Sequence, residues 1–217
     1  MPTRPGRTGA LLALLAFATS AQAQCPDLLV ERFIPAECAA CWSEAGAPPA
    51  RSVVLDWIVP SPRRDAAPLS AAAVAEAGAR AGGIDGGPTR QRQHLLGRAG
   101  VRLTVEDGPA WHGYVGLRLR ATRHGAAWPA GAAGYLALVE TLRAGEDGTP
   151  VPRNVVRAVA GPLTLDDAAA STTHLVALRI PHGTRVDRLG ALSWVENDSG
   201  AVVTIAQAGA EDCPQRK

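Results

Sequence analysis

Apolar residues along the first part of the chain predict alternating strands and helices. The apolar runs Leu28 to Phe33 and Ser52 to Val59 predict β-strands, because proline or turn residues bound them. The second run is almost continuously apolar, which is typical of a strand buried on both faces of a parallel sheet. Ser70 to Ala81 predicts a helix that ends at two glycines. With a short helix between the two strands, the predicted order is β–α–β–α.

From about Val101 the pattern changes to seven short apolar runs separated by turn sequences. Several runs alternate apolar and polar residues, which is the period of a half-buried strand. Turns are predicted at Glu106-Asp107-Gly108-Pro109 and at Asn197-Asp198-Ser199-Gly200, and a loop is predicted over 125–134. Strands at this spacing are typical of an antiparallel β-sandwich or barrel, and we expect the sandwich. The seven runs are VRLTV, GYVGLRLRA, YLALVETL, NVVRAVAG, HLVALRIP, LGALSWVEN and AVVTIAQA.

The N-terminal residues predict an export signal over 1–23. Arg4 and Arg7 precede the apolar run Ala10 to Ala18, which is too short to span a bilayer. Ala21-Gln22-Ala23 then fits a small-x-small cleavage site. We therefore expect a mature chain that begins at Gln24, a periplasmic or secreted location and no membrane span.

The charge of the chain excludes one class of function. The formal net charge is +2, and removal of the two arginines of the signal brings it to about zero. A nearly neutral chain without blocks of lysine or arginine is not typical of nucleic-acid binding, so no nucleic-acid partner is expected.

A Cys-x-x-Cys pair in the stretch PAECAACW is the main candidate for chemistry. Cys38 and Cys41 follow a predicted strand and stand at the start of a short helix that Pro48 and Pro49 must stop. The N-terminus of a helix favours a thiolate, so Cys38 is the candidate nucleophile and Cys41 the candidate resolving thiol. An inert disulfide that closes a tight loop is the open alternative.

A zinc site at this pair is disfavoured, because zinc would need two further ligands. The other two cysteines lie near the termini, and the five histidines show no paired spacing. No metal and no cofactor are expected. In an oxidising compartment disulfides are the default state of cysteines. If Cys38 pairs with Cys41, then Cys25 and Cys213 remain to form a structural disulfide between the two ends of the chain.

Two stretches resemble domain-of-unknown-function family 1223, bacterial secreted proteins with a thioredoxin-like first half. The family pattern has a strand ending in Glu-Leu-Phe-Thr, a Gly-Cys-x-x-Cys-Pro turn and a second strand rich in aromatic residues. Its β-rich second half contains a Tyr-Arg-Asn-Val-Val-Arg motif, which resembles Arg153 to Arg157 in this chain. The matching positions in the first half are Glu31, Phe33, Cys38, Cys41 and Trp57.

The resemblance implies an α+β fold in which a reduced, that is shortened, thioredoxin-like α/β part over 24–98 precedes an antiparallel β-sandwich over 99–217. It also implies a possible thiol–disulfide oxidoreductase acting on a thiol or disulfide protein partner. The competing class is a non-enzymatic binding or scaffold protein whose disulfides are all structural. For Arg157 the residues themselves imply no more than a salt bridge or a hydrogen bond to a loop.

Two departures from the family pattern bear on reactivity. Glu37 replaces the glycine before Cys38, and a neighbouring carboxylate disfavours a thiolate. The loop that would carry a cis-proline beside the disulfide has one candidate, Pro88, and the sequence RQRQHLL after it makes a poor core strand. We therefore interpret Glu37 and Pro88 as modulating residues of an eroded thioredoxin-like site.

Overall fold

The computed structural model describes residues 25–82, 89–97 and 100–210. The predicted export signal, Pro88 and Cys213 lie outside these described residues. The described elements are mostly strands, joined by two short helices, α1 (Ala39–Ser43) and α2 (Ala75–Arg80). The strands are β1 (Leu28–Pro35), β2 (Ser52–Val59), β3 (Arg90–Leu95), β4 (Val101–Trp111), β5 (Tyr114–Arg123), β6 (Ala133–Leu142), β7 (Arg153–Thr164), β8 (Ser171–Arg179), β9 (Leu189–Glu196) and β10 (Val202–Gln207).

Two sheets make up the molecule, which is a β-rich α+β fold. Seven strands form a mixed sheet in the order β10-β9-β6-β7-β2-β1-β3, and β4-β5-β8 form a separate antiparallel sheet. β1 runs parallel to β2, β2 runs parallel to β7, and β3 runs antiparallel along the other side of β1. The crossover from β1 through α1 to β2 leads to the expectation that these two strands are parallel neighbours, and their observed pairing confirms it.

All seven strands predicted after residue 100 are present, but they do not form one antiparallel sandwich. β4, β5 and β8 make the separate layer, whereas β6, β7, β9 and β10 complete the sheet that β1, β2 and β3 begin. β7 explains the difference, because four of its first five residues are buried, as in a strand from the middle of a sheet. It pairs in parallel with β2 and antiparallel with β6.

Two local predictions also need correction. The predicted turn at 106–109 is wrong, because β4 continues through it and a register shift between Asp107 and Ala110 absorbs the extra residues as a bulge. The chain turns instead at His112 and Gly113, whose φ angles of 47° and 79° suit a two-residue hairpin turn. The predicted helix over 70–81 is interrupted at Val74, whose extended backbone donates a hydrogen bond to the carbonyl of Ile58.

The seven-stranded sheet curls until its two edge strands meet. The backbone N–H of Val202 on β10 donates to Nδ1 of His94 on β3, at 3.1 Å. The rings of Trp57 on β2 and Trp194 on β9 lie 6.2 Å apart, although these strands are three places apart in a sheet whose strands are spaced by about 4.8 Å. We call the concave side the inner face and the opposite side the outer face.

Each face of the large sheet buries its own core. The inner face carries Leu29, Phe33, Leu55 and Trp57 with apolar residues of β6, β7, β9 and α2. On the outer face, helix α1 packs over β1, β2 and β7. The three-stranded sheet packs beside it over β6 and β9. The cysteine pair therefore lies on the outer face, next to the parallel strands.

Candidate functional site

The Cys-x-x-Cys pair stands directly after β1, where the chain turns into α1. The N–H of Cys38 donates to the carbonyl of Pro35 at 2.9 Å, which forms the turn. Cys38 is the N-cap of α1, and its sulfur accepts a hydrogen bond from the N–H of Cys41 at 3.2 Å. The two cysteines form a disulfide, and both are partly exposed. The pair can therefore be reached from solvent while its helix packs on the sheet.

Trp42 and Arg153 anchor the short helix to the sheet. Trp42 is buried, and its indole N–H donates to the carbonyl of Asp147 at 2.8 Å. The guanidinium of Arg153 lies 4.0 Å from the centroid of the Trp42 ring, within the range of a cation–π interaction. Its Nη2 donates to the backbone carbonyl of Trp42 at 2.5 Å. Arg153 opens the second resemblance motif, and the fold brings it to the helix that follows the first.

Below α1, one buried carboxylate faces two buried guanidinium groups. Arg32 donates from Nε and Nη2 to the two oxygens of Asp56 at 2.7 and 2.9 Å. Arg153 donates from Nη1 to Asp56 at 3.2 Å and from Nε to Thr149 at 2.7 Å. Asp56 is fully buried, and Arg32 and Arg153 are only 6% and 1% exposed. The trio carries one more positive charge than negative charge.

Burial acts on the acid–base properties of this trio. Burial raises the pKa of Asp56, although the hydrogen bonds and charges of the two arginines oppose that rise. Burial likewise lowers the pKa of Arg153, against the charge of Asp56. Arginine stays protonated at any ordinary pH because its pKa begins above 12. The positive charge of the trio is therefore permanent.

A cavity of about 250 Å³ opens between α1 and this trio. Arg32, Arg153 and Cys41 line it, and Glu44 and Gln91 stand at exposed positions of its lining. One cysteine of the disulfide therefore lines a cavity together with two cationic side chains. The sequence predicted the disulfide pair but did not associate either arginine with it.

The other predicted site residues are placed in part. Glu37 is partly buried, and its Oε2 accepts a hydrogen bond from the hydroxyl of Ser61 at 2.6 Å. Cys25 is disulfide-bonded, while Cys213, its predicted partner, lies outside the described residues, as does Pro88. The Cys25–Cys213 link and the modulating role of Pro88 therefore stay predictions.

Arg157 has the structural role that its residue type implied. Its Nε donates to the hydroxyl of Thr184 at 2.9 Å, in the loop before β9. The same atom lies 3.5 Å from a carboxylate oxygen of Glu140. Arg157 thus connects β7 to β6 and to that loop.

A second buried ionic cluster, which the sequence did not reveal, lies on the inner face. Arg80 of α2 contacts the carboxylates of Glu31 on β1 and Glu196 on β9. Its guanidinium also lies 5.3 Å from the ring of Trp57 and 5.1 Å from that of Trp194. One arginine thus links two strands near opposite edges of the curled sheet.

His94 completes this inner cluster and fixes its own tautomer. Its Nδ1 accepts from the N–H of Val202, so in the neutral ring the proton is on Nε2, which lies 3.0 Å from Glu31. Burial alone raises the pKa of Glu31, but the hydrogen bond from His94 and the charge of Arg80 outweigh burial and lower it. This cluster is largely buried, with aromatic rings around the guanidinium of Arg80, and its contacts hold structural elements together.

In the parts of the chain that the structure describes, no helix has the length and apolar character needed to cross a bilayer. Within the same residues, no three histidine, cysteine or acidic side chains come together in a way that could hold a metal ion.

Comparison with known proteins identifies a shared fold and no family. No protein-family model and no curated protein sequence matches the chain. Among solved structures, the chain is similar to HBP35 of Porphyromonas gingivalis, with 10% sequence identity and a TM-score of 0.54, over 89% of this chain and 79% of that chain. A likeness at this identity concerns the fold alone.

Proposed function

We propose that the chain is an exported protein, a divergent member of domain-of-unknown-function family 1223, whose Cys38–Cys41 pair exchanges slowly with a thiol or disulfide of a protein partner. The proposal places this pair in a shortened thioredoxin-like part of the fold. Export, family membership and a periplasmic or secreted location rest on the sequence motifs alone. The proposed chemistry needs no metal or organic cofactor.

The observation that carries the proposal is the position of the disulfide. It is partly exposed and stands at the junction of a buried parallel strand and the N-terminus of the crossover helix. Free N–H groups at a helix start stabilise a thiolate that is released there. An inert structural disulfide does not need a helix N-terminus, whereas an exchanging pair reacts faster when its thiolate is stabilised there.

The exchange is a two-electron reaction with a dithiol partner. A partner thiolate attacks the Sγ of Cys38, forms a mixed disulfide and releases Cys41 as a thiolate. The second partner thiol, once deprotonated, attacks the partner sulfur of the mixed disulfide and releases Cys38. The partner is oxidised to a disulfide, and Cys38 and Cys41 take up the two protons. The reverse sequence oxidises the protein.

Two features of the site slow this reaction. The carboxylate of Glu37 adjoins Cys38 and opposes the negative charge of its thiolate. Helix α1 has only five residues, so the stabilisation that its N-terminus gives a thiolate is at the low end of about 0.3–1 kcal/mol. We therefore expect slow exchange compared with a dedicated oxidoreductase.

A structural staple is the second candidate, and the anchoring of α1 favours it. Trp42 and Arg153 already hold the helix, and the disulfide would complete that anchor. In this case the pair would resist reduction until the protein unfolds. A binding or scaffold protein with only structural disulfides would then be the better description.

Mild reduction of the folded protein distinguishes an exchanging disulfide from a purely structural one. We expect dithiothreitol at low millimolar concentration to reduce Cys38–Cys41 before the disulfide of Cys25, with the fold intact by circular dichroism. The readout is mass spectrometry of peptides alkylated at successive times. Reduction that begins only in denaturant would refute the exchange function and support the staple.

Glu37→Gln should speed alkylation of Cys38 in the reduced protein at neutral pH by about two- to fivefold. The reason is that removal of one adjacent charge, worth about 1 kcal/mol at 4 Å in water, favours the thiolate. Glutamine preserves an acceptor for the hydroxyl of Ser61. Glu76→Gln, at an exposed site on α2, is the control and should leave the rate unchanged. Equal rates of Cys38 alkylation in Glu37→Gln and Glu76→Gln would show that the carboxylate of Glu37 does not slow the reaction.

A further inference from the structure

The cavity beside Cys41 has an excess of buried positive charge. Arg32 and Arg153 both line it, and among the described residues their shared anion is Asp56 alone. A buried charge without a counterion is costly, so such a site stabilises any anion that enters it. The surplus within the buried trio is a single positive charge, and the carboxylate of Glu44 stands at an exposed position of the cavity lining.

Both guanidinium groups retain donors for a ligand. Each guanidinium has five N–H groups. Those of Arg32 reach Asp56 and, at 3.5 Å, the carbonyl of Gly46. Those of Arg153 reach Thr149, Asp56 and Trp42. Three N–H groups of each side chain are thereby engaged, and two on each have no partner among the residues that the structure describes.

We propose that this cavity binds one carboxylate group, held between Arg32 and Arg153 beside Cys41. A carboxylate has the single negative charge that the trio lacks, and its planar pair of oxygens matches the fork of a guanidinium. A phosphate dianion would exceed the surplus charge of the trio, and Glu44 in the lining would repel it about twice as strongly as it repels a carboxylate. A cavity of about 250 Å³ also has room for the carbon chain that carries the carboxylate.

The carboxylate has two possible sources with the same chemistry. One is a small carboxylic acid free in solution. The other is an Asp or Glu side chain next to the cysteine of an exchange partner, which would enter the cavity while the partner sulfur reaches the disulfide. This second source rests on the proposed exchange function, whereas binding of a free carboxylate does not.

Titration of the oxidised protein with propionate tests the site directly. Amide chemical shifts of residues 41–46 should move saturably with propionate, and should not move with propionamide, which has the same shape without the charge. The measurement needs no redox activity. Equal shifts with both compounds, or none with propionate, would overturn the proposal.

Exposed residues of the lining allow charge changes that spare the buried trio. Gln91→Glu adds a negative charge to the lining and should weaken propionate binding by roughly fivefold, the effect of one unit charge at about 4 Å in water. Glu44→Gln removes a negative charge and should tighten binding by about two- to fivefold. Glu76→Gln on α2 is the control and should change nothing. Unaltered affinity in both lining variants would place the ligand elsewhere and refute the site.

Two peptides identify the source of the carboxylate. A peptide with one cysteine and an adjacent Asp should form a mixed disulfide with the protein about fivefold faster than its Asn counterpart, and Gln91→Glu should abolish the difference. Equal rates together with propionate binding would support the site and assign it to a free acid. If neither peptide reacts, the exchange function fails, and the propionate titration still decides the cavity.

Discussion

Asp56→Asn should lower the free energy of unfolding by about 3–5 kcal/mol, the range expected when one member of a buried ion pair is removed. Asparagine has nearly the same volume, so the expected loss is electrostatic. Asp56 is the carboxylate that Arg32 and Arg153 share, and both arginines are almost completely buried. Without it, two guanidinium groups face each other inside the protein. Urea unfolding at neutral pH, followed by tryptophan fluorescence, measures the loss.

Asp27→Asn is the matched control. It also removes a carboxylate from an arginine, since Arg51 lies 2.8 Å from Asp27, but that pair is exposed to solvent. Exposed pairs contribute little to stability, so the control should unfold close to the wild-type midpoint. Similar midpoints for the two variants would contradict the ionic role assigned to Asp56.

Arg80→Leu should be destabilising to a similar degree, about 3–5 kcal/mol at pH 7. The substitution leaves Glu31 and Glu196 buried on the inner face without their cation, and it removes the contacts of the guanidinium with Trp57 and Trp194. Leucine fills part of the space, so the loss reflects unpaired charge more than a void. Urea unfolding at pH 7 gives the magnitude.

The pH dependence identifies the cause of that loss. In the wild type the pKa of Glu31 is lowered, so its contribution is complete above the unfolded-state pKa of about 4.3 and disappears as the pH falls through the folded-state value. In Arg80→Leu, loss of the cation raises the pKa of the same carboxyl above its wild-type value, although the hydrogen bond from His94 remains, so the variant should lose less stability in acid than the wild type. The difference between the two proteins should therefore shrink from pH 7 to pH 4.

Arg118→Leu provides the control for this series. Arg118 pairs with Glu106 at 3.0 Å on the exposed surface of the three-stranded sheet, with both side chains more than half exposed. Its replacement should change stability little at either pH. If the Arg80→Leu difference is as large at pH 4 as at pH 7, then lost packing, and not unpaired charge, explains the effect.

The positions of the strands could be predicted from the sequence better than their pairing within the sheets. Periodicity and turn residues located β1, β2 and the seven later strands, because each depends on residues that are neighbours in the chain. The assignment of β7 to the middle of the large sheet could not be predicted in this way. Its pairing with β2 joins residues about one hundred positions apart, Asp56 and Val155, and no local pattern encodes it.

The sequence predicted the cysteines of the candidate site but not the buried charged residues beside them. The Cys-x-x-Cys spacing marks Cys38 and Cys41 on its own, whereas Arg32 and Asp56 are single charged residues inside apolar strands. That placement was itself a signal, because a charge in a buried strand requires a partner. The identity of the second partner, Arg153, depends on the fold and could not be predicted.

The strand order of the curled sheet determines the order in which its strands can pair during folding. β1 and β2 are made early during synthesis, but β7, which pairs with the remaining edge of β2, is made about one hundred residues later, and β10, whose backbone His94 binds, is the last strand. Contacts between residues so far apart form slowly. One edge of β2 therefore stays unpaired until β7 has been made, and His94 lacks its partner on β10 until almost the whole chain has been made. The disulfide, by contrast, joins residues three positions apart and can close while the rest of the protein is still unfolded.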